Sequence, residues 1–326
     1  MRSPAPTPLL LLAGLALAVA ACGTSSGTAS RITTAPSVGT DSRLPTTGGT
    51  GSVTIASANF PENQILAEVY RQALAAAGFA ATVKPLTTRP VILKALESGD
   101  VQVEADYVGS MAKYLNKDKS GSDALGVDES DLAATYGKAQ ALGLEKGLTV
   151  LKPSAAADQN AFAVTRAFST TNKVTKISDL AAYKGPLVLG GTPECKTYAL
   201  CQPGLEKTYG LTFTGFEQTD LGGTLSVTKL KNGTVQLGEF LSSDGGVKAN
   251  DFVVLEDDKK LQSVDNVVPV LAGKVAGDKL LTSILDRVSA AMTTEDLIAL
   301  NATVSIDRKL PAAAATDFLK GKGLIA

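Results

Sequence analysis

From Val53 onward the chain alternates short apolar runs with stretches whose apolar residues recur every three to four positions. Val53-Thr-Ile-Ala-Ser57 predicts a strand, and Pro61 to Ala77 predicts a helix. Pro61 suits the first helical position, Glu62 favours the positive helix end, and Gly78 provides the stop. Ile65, Leu66, Val69, Ala73, Leu74 and Ala77 fall on one face of that helix and form its buried stripe. A strand over Ala81 to Pro85, a helix over Arg89 to Ser98 ending at Gly99, and a strand over Val101 to Ala105 follow. The final stretch, Asp278 to Ala326, reads as helices, with one start at Thr293-Thr-Glu-Asp-Leu and another at Pro311. Strands alternating with helices predict an α/β fold with parallel sheets.

A weak internal repeat refines that expectation. Lys94-Ala-Leu-Glu-Ser-Gly99-Asp-Val-Gln-Val-Glu104 matches Lys229-Leu-Lys-Asn-Gly233-Thr-Val-Gln-Leu-Gly-Glu239. Each is a helix end, a glycine stop and a strand leading to an acidic residue. The strand near Ile55 and the strand near Val188 precede these units by similar intervals. The pattern predicts two similar α/β lobes: 53–157 as the first part of lobe I, 158–265 as lobe II, and 266–326 as a return to lobe I. The chain then crosses between lobes twice, which makes a hinge. Open α/β sheets bind ligands beyond the carboxyl ends of their strands, so two lobes predict a cleft between them.

The N-terminus has a different pattern. Arg2 is followed by an apolar run from Leu9 to Ala21, 13 residues long. A spanning helix needs about 20 apolar residues, so the run fits the core of a secretory signal. Val19-Ala20-Ala21-Cys22 resembles a lipobox, which makes 1–21 a lipoprotein signal peptide and Cys22 the lipidated first residue of the exported chain. Residues 22–52 are mostly Gly, Ser, Thr and Pro and read as a flexible tether. The expected location is the outer face of the cell membrane, held by a lipid anchor.

Composition narrows the chemistry. Hydrophobic residues make up 44% and charged residues 19%, and the formal charge is −1. That balance gives no electrostatic footprint for nucleic acid. There is no histidine, which removes the commonest general base and transition-metal ligand. Ser57 has no nucleophile elbow, and Gly190-Gly191-Thr is too short for a phosphate loop. Glu104 and Asp106 share one face of a strand end, as paired catalytic acids do, though such a pair is also a common accident. No cofactor and no enzymatic activity are expected. Beyond Cys22 the chain has only Cys195 and Cys201. In an oxidising compartment they are expected to close a structural disulfide, against the alternatives of a metal clip or two buried thiols.

Several stretches in order carry a family likeness. Val53 to Glu62, Leu96-Glu-Ser-Gly99-Asp-Val, Asp106-Tyr107-Val-Gly109-Ser110, Lys176-Ile-Ser-Asp179-Leu, Pro193-Glu194, Thr208-Tyr-Gly210, Ser243-Asp244-Gly245 and Val254 to Asp258 resemble the glycine betaine/choline/carnitine-binding receptors of osmoprotectant ABC importers. The likeness runs from about Val53 to Ala326. It implies a type II periplasmic-binding-protein fold of the venus-flytrap kind. It also implies a small-molecule solute as ligand, and a permease and its ATPase as partners.

In that family a box of tyrosines surrounds a quaternary ammonium, because aromatic faces attract a cation that cannot donate hydrogen bonds. Here Tyr107 stands where one such ring belongs, while Asn160, Val227 and Leu241 occupy the other expected places. Ala58 stands where the anion clamp has Lys or Gln, Tyr198 replaces an arginine, and Ser110 keeps a hydroxyl. With cage and clamp both altered, Asn59, Asn63, Asn160 and Ser110 suit a neutral polyol-like or phenolic solute as an alternative passenger. For each asparagine the competing role is loop or cap duty. Glu194 either meets the ligand from lobe II or caps a helix. A function of another class, an envelope interaction lipoprotein, fits the anchor but has no need of a hinged pair of lobes.

Overall fold

The structure is a computed structural model in which residues 43–326 are described. The predicted signal segment, Cys22 and most of the predicted tether lie outside the described residues. The described residues form ten strands, β1 (Ser52–Ser57), β2 (Ala80–Pro85), β3 (Val103–Tyr107), β4 (Leu148–Val150), β5 (Asn160–Thr165), β6 (Val188–Gly191), β7 (Gly215–Gln218), β8 (Leu237–Leu241), β9 (Phe252–Val254) and β10 (Val267–Ala272). They form two five-stranded sheets, ordered β2-β1-β3-β10-β4 and β7-β6-β8-β5-β9. The two orders are the same: three parallel strands, an antiparallel crossing strand, then a short edge strand. The sheets are mixed rather than all parallel because each lobe takes in one strand from the segment that enters or leaves the other.

The helix Pro61–Ala76 forms where its pattern predicts, and all six residues of its stripe are buried. Burying each large aliphatic side chain is worth about 1.5–3 kcal/mol, which outweighs the modest propensity of the segment. Gly99, at φ +76, caps the helix Arg89–Ser98 in the left-handed conformation that glycine adopts without strain. The strand expected over Val101 to Ala105 starts two residues later. The Val101 N–H is spent on the Ala95 carbonyl at the helix exit, so the chain is not yet extended into the ladder there.

Strand β10 shows how one sheet serves two cores. Val267 and Leu271 enter a cluster with Ile65, Leu66 and Val69, whereas Val268, Val270 and Ala272 enter one with Ile92, Leu96 and Met111. This is the period-two alternation of a strand buried on both faces. The C-terminal helices Lys279–Ala291, Thr294–Ser305 and Pro311–Gly321 supply Leu285, Leu297 and Phe318 to the first cluster. Lobe II has its own clusters around Phe162 and Phe240.

The described end of the expected tether differs from the sequence-based expectation. Leu44 is only 3% exposed and packs into the first core, with its N–H donated to the Leu324 carbonyl at 2.8 Å. One apolar side chain in an otherwise polar stretch is enough to lay the chain against the fold. No helix among the described residues is long and apolar enough to cross a membrane.

The repeat noted in the sequence reappears as hydrogen bonds. In lobe I the Gln102 side chain accepts from Thr54 N and donates to Gly99 O, at 2.8 and 2.9 Å. In lobe II the Gln236 side chain accepts from Val188 N and donates to Gly233 O, at 3.0 and 2.8 Å. Each glutamine thus latches one strand, β1 or β6, to the glycine turn before its parallel neighbour, β3 or β8.

Candidate functional site

The chain passes from the first sheet to the second between Val150 and Asn160, and returns between Val254 and Val267. The two crossings pair with each other through an antiparallel bridge at Ala157 and Asn266. Beside them lies a cavity of about 310 Å³. Lobe I lines it with Arg89, Tyr107, Gly109, Ser110 and Lys113; lobe II contributes Asn160, Tyr198, Leu200 and Leu241; the crossings add Asp158 and Asp265. Tyr107 ends β3 and Gly109 lies in the first turn of the helix Val108–Ser120, so the cavity sits where parallel strands run out, as in other open α/β sheets.

Asp265 anchors the lobe I wall. Its Oδ1 accepts the backbone N–H groups of Gly109 and Ser110, both at 2.9 Å, and its Oδ2 accepts the Ser110 hydroxyl at 2.5 Å. A carboxylate from the second crossing therefore caps the helix Val108–Ser120, whose own N-cap residue, Tyr107, makes no side-chain cap. Burial pushes the Asp265 carboxyl up to about 6, against the pull of the Ser110 bonds and of Arg89. Asp158 is pushed up to about 7 by burial and by Glu62, with Ser243 pulling the other way. The Ser243 hydroxyl donates to Asp158 at 2.6 Å.

A second chain of bonds ties the lobes together behind the cavity. The Tyr107 hydroxyl donates to Glu62 at 2.5 Å, and Asn301 donates both to Glu62 and to the Ser243 carbonyl, at 2.5 and 3.0 Å. The Tyr107 ring stacks on Phe60 with centroids 6.4 Å apart. Burial and the Glu62 charge hold the Tyr107 phenol well above its usual range. Arg89 grips Asp106 through Nε and Nη2 at 2.8–3.0 Å. Burial opposes the Arg89 charge, but Asp106 more than offsets it and keeps the guanidinium ionised. Lys113 pairs with Glu129 and bonds Ser263, each at 2.8 Å.

The lobe II wall is built on a staple. Cys195 and Cys201 form a disulfide with Cα atoms 5.0 Å apart, and both are buried. The short loop between them presents Tyr198, 45% exposed, and Leu200 to the cavity. Gln262 from the second crossing holds the Leu200 carbonyl at 2.8 Å. Among the described residues the grouping that has metal-like spacing is Cys195, Cys201 and Glu239. With the sulfurs bonded to each other, no thiolate remains to ligate an ion.

Of the residues singled out from sequence, Tyr107, Ser110, Asn160 and Tyr198 line the cavity together. Three stand apart from it. Asn59 is exposed beyond the end of β1, and Glu194 is exposed, its carbonyl accepting from Thr197 and Tyr198. Asn63 is buried and its amide is spent on backbone: Oδ1 accepts from Ala58 N at 2.6 Å and Nδ2 donates to Ala105 O at 2.7 Å. Asn63 does border a smaller cavity of about 120 Å³, which shares Arg89 and Tyr107 with the large one. Of the altered cage positions, Leu241 lies in the cavity wall opposite Asn160 in the β5–β8 ladder, whereas Val227 packs against a lobe II core.

Sequence reasoning missed Arg89, Asp158, Asp265 and the cross-lobe role of Glu62. Arg89 had a usable signal, because a cation in the first turn of a helix opposes the helix dipole and calls for a nearby anion. Asp158 and Asp265 lie in unpatterned connections and come together only when the crossings pair.

The model of the substrate binding domain of ABC-type glycine betaine transport systems matches residues 51–321. The chain belongs to this family. A glycine-betaine-binding protein of Pseudomonas aeruginosa is 28% identical over 282 residues, covering 83% of this chain and 88% of that protein. The glycine betaine-binding protein YehZ of Escherichia coli is 26% identical over 278 residues, covering 80% and 88%. A crystal structure of a glycine betaine/carnitine/choline ABC transporter component superposes with a TM-score of 0.73 at 22% identity, covering 82% of this chain and 98% of that one. The glycine betaine transport family is one of substrate-binding receptors rather than of enzymes, and the two-sheet α/β architecture described above superposes on that solved structure.

Proposed function

We propose that this chain is the extracytoplasmic receptor of an ABC importer of the osmoprotectant class, closing its two lobes on a small solute and presenting it to a permease driven by an ATPase. One observation carries the reading: a cavity of about 310 Å³ at the two chain crossings, walled by residues of both lobes. A solute held there touches both lobes at once, so its binding energy favours the closed arrangement over the open one. The lipobox at Cys22 supports tethering to the outer membrane face, as the sequence leads one to expect.

The cavity lining bears on the passenger. Arg89, Lys113, Asp158 and Asp265 all reach it, which favours a charged solute over the neutral polyol-like or phenolic one that the altered cage suggested. The altered cage keeps only the rings of Tyr107 and Tyr198 in its wall, but it does not lack charge. The test is calorimetric titration of the purified protein with glycine betaine, choline and carnitine, paired with small-angle scattering. Micromolar binding of one of them with a fall in radius of gyration supports the receptor. No binding and no compaction with any of them, or with their less methylated amine counterparts, would overturn it.

A further inference from the structure

Beyond the latched glutamines each strand carries a buried glutamate, Glu104 two residues past Gln102 and Glu239 three residues past Gln236. Their surroundings differ. In lobe II, Glu239 Oε2 accepts the N–H of Thr192 at 2.9 Å. Thr192 lies four residues after Val188, and its counterpart four residues after Thr54 is Ala58. In lobe I the Ala58 N–H goes instead to Asn63 Oδ1. Glu104 is left only 2% exposed, with Oε2 lacking any hydrogen-bond partner among the described residues. A buried carboxylate oxygen without a donor is uncommon and calls for an explanation.

The orphaned carboxylate lines the smaller cavity, together with Asp106, Arg89 and the stacked rings of Tyr107 and Phe60. At about 120 Å³ the cavity has room for a group of a few heavy atoms, a water in the liquid occupying roughly 30 Å³. The two carboxylates outnumber the single guanidinium, and Arg89 is already committed to Asp106. Burial and Asp106 push the Glu104 carboxyl well above its usual range while Arg89 pulls it down, so the site favours a proton on Glu104 where a cation would serve as well.

We propose that this side pocket is a subsite for an ammonium group that carries N–H bonds, which donates to Glu104 while the rest of the solute lies in the main cleft. The ring faces of Tyr107 and Phe60 attract any cation, quaternary ones included. A quaternary ammonium, however, cannot supply the hydrogen bond that Glu104 lacks, whereas a primary or secondary ammonium can. The subsite rests on the receptor reading and narrows its substrate class to amines that are not fully methylated.

The experiment is calorimetric titration of the purified protein with ethanolamine, its mono- and dimethyl derivatives and choline, with glycine betaine and carnitine alongside. Ethanolamine is expected to bind at least tenfold more tightly than choline. In the E104Q variant, the ethanolamine affinity should fall about tenfold or more while that of any quaternary solute stays within about twofold. Choline binding as tightly as ethanolamine, or E104Q weakening both alike, overturns the subsite. Should E104Q not fold, the methylation series on the unaltered protein decides by itself. If quaternary solutes bind and the amines do not, the subsite falls and the receptor stands; if nothing in the series binds, both fall.

Discussion

The backbone N–H of Asp158 donates to the carbonyl of Asp265 at 3.0 Å, which joins the two connections between the lobes at the wall of the cleft. Each residue also turns its carboxylate to a different lobe: Asp158 to Ser243 of lobe II, Asp265 to the helix start at Gly109 and Ser110 of lobe I. Two acidic groups on the paired connections are thereby held close together in a buried place, which neither would occupy in an unfolded chain.

That arrangement sets a pH dependence. Both carboxyls ordinarily titrate at 3.8, and in the fold they are raised to about 7 and about 6. Between roughly pH 4 and 7 the folded state therefore holds more protons than the unfolded state, so stability falls as pH rises through that window. Carboxylates held below their usual range, such as Asp296 beside Lys322, act in the opposite sense but at lower pH. The melting temperature of the unliganded protein is expected to be lower at pH 8 than at pH 5 by at least about 3 °C, the shift that about 1 kcal/mol makes in a domain of this size. In the D158N variant the slope should flatten. A melting temperature that rises over this range would count against the account.

Removing the Asp265 carboxylate should be costly. D265A strips two backbone N–H groups and one hydroxyl of their acceptor at a buried helix start, and each such loss is worth about 1 kcal/mol or more. We expect a loss of about 2–3 kcal/mol in chemical denaturation, with D265N retaining part of it. An unchanged midpoint in D265A would mean that the helix start finds another cap.

Gly109 is held close to the second crossing. A Cβ added there would lie 2.3 Å from the Val264 carbonyl oxygen, a backbone atom that cannot swing aside. G109A is expected to destabilise by about 1–3 kcal/mol, the usual cost of overpacking, and to weaken solute binding by moving the second crossing off the helix start. Thermal unfolding and titration of the same sample would check both; binding left intact in a destabilised variant would separate the hinge from the site.

The disulfide is expected to matter for the cleft beyond its effect on stability. Closing so short a loop is worth about 2–3 kcal/mol by chain-entropy reasoning. Because the loop carries Tyr198 and Leu200, the double substitution C195S/C201S should also lower solute affinity. Amide exchange in residues 194–201 would report the loosening. Loss of stability with affinity unchanged would confine the bond to a folding role.

The fold was largely legible because its signals are local. The stripe from Ile65 to Ala77, the stops at Gly78 and Gly99, and the repeated Gly-x-Val-Gln units all survive into the structure at the residues that announced them. The site was legible only where the family pattern marks a strand end, at Tyr107 and Ser110, or a wall, at Asn160 and Tyr198. Asn63 misled because a loop asparagine suits a ligand and a backbone clasp equally well, and only the neighbouring Ala58 N–H and Ala105 carbonyl choose between them. Asp158 and Asp265 are 107 positions apart with no periodic context, so nothing short of the paired crossings brings them into view.

The matched latches of Gln102 and Gln236, each reaching back 48 positions to its strand, describe a half-chain used twice. A doubled unit has a spare. In lobe II the glutamate beyond the latch, Glu239, holds backbone, whereas in lobe I Glu104, set one residue closer to its latch, leaves an oxygen without that duty. Novelty in such a receptor can therefore arise in one half while the other preserves the original plan, and the place to look for it in any relative is wherever the twins have ceased to agree.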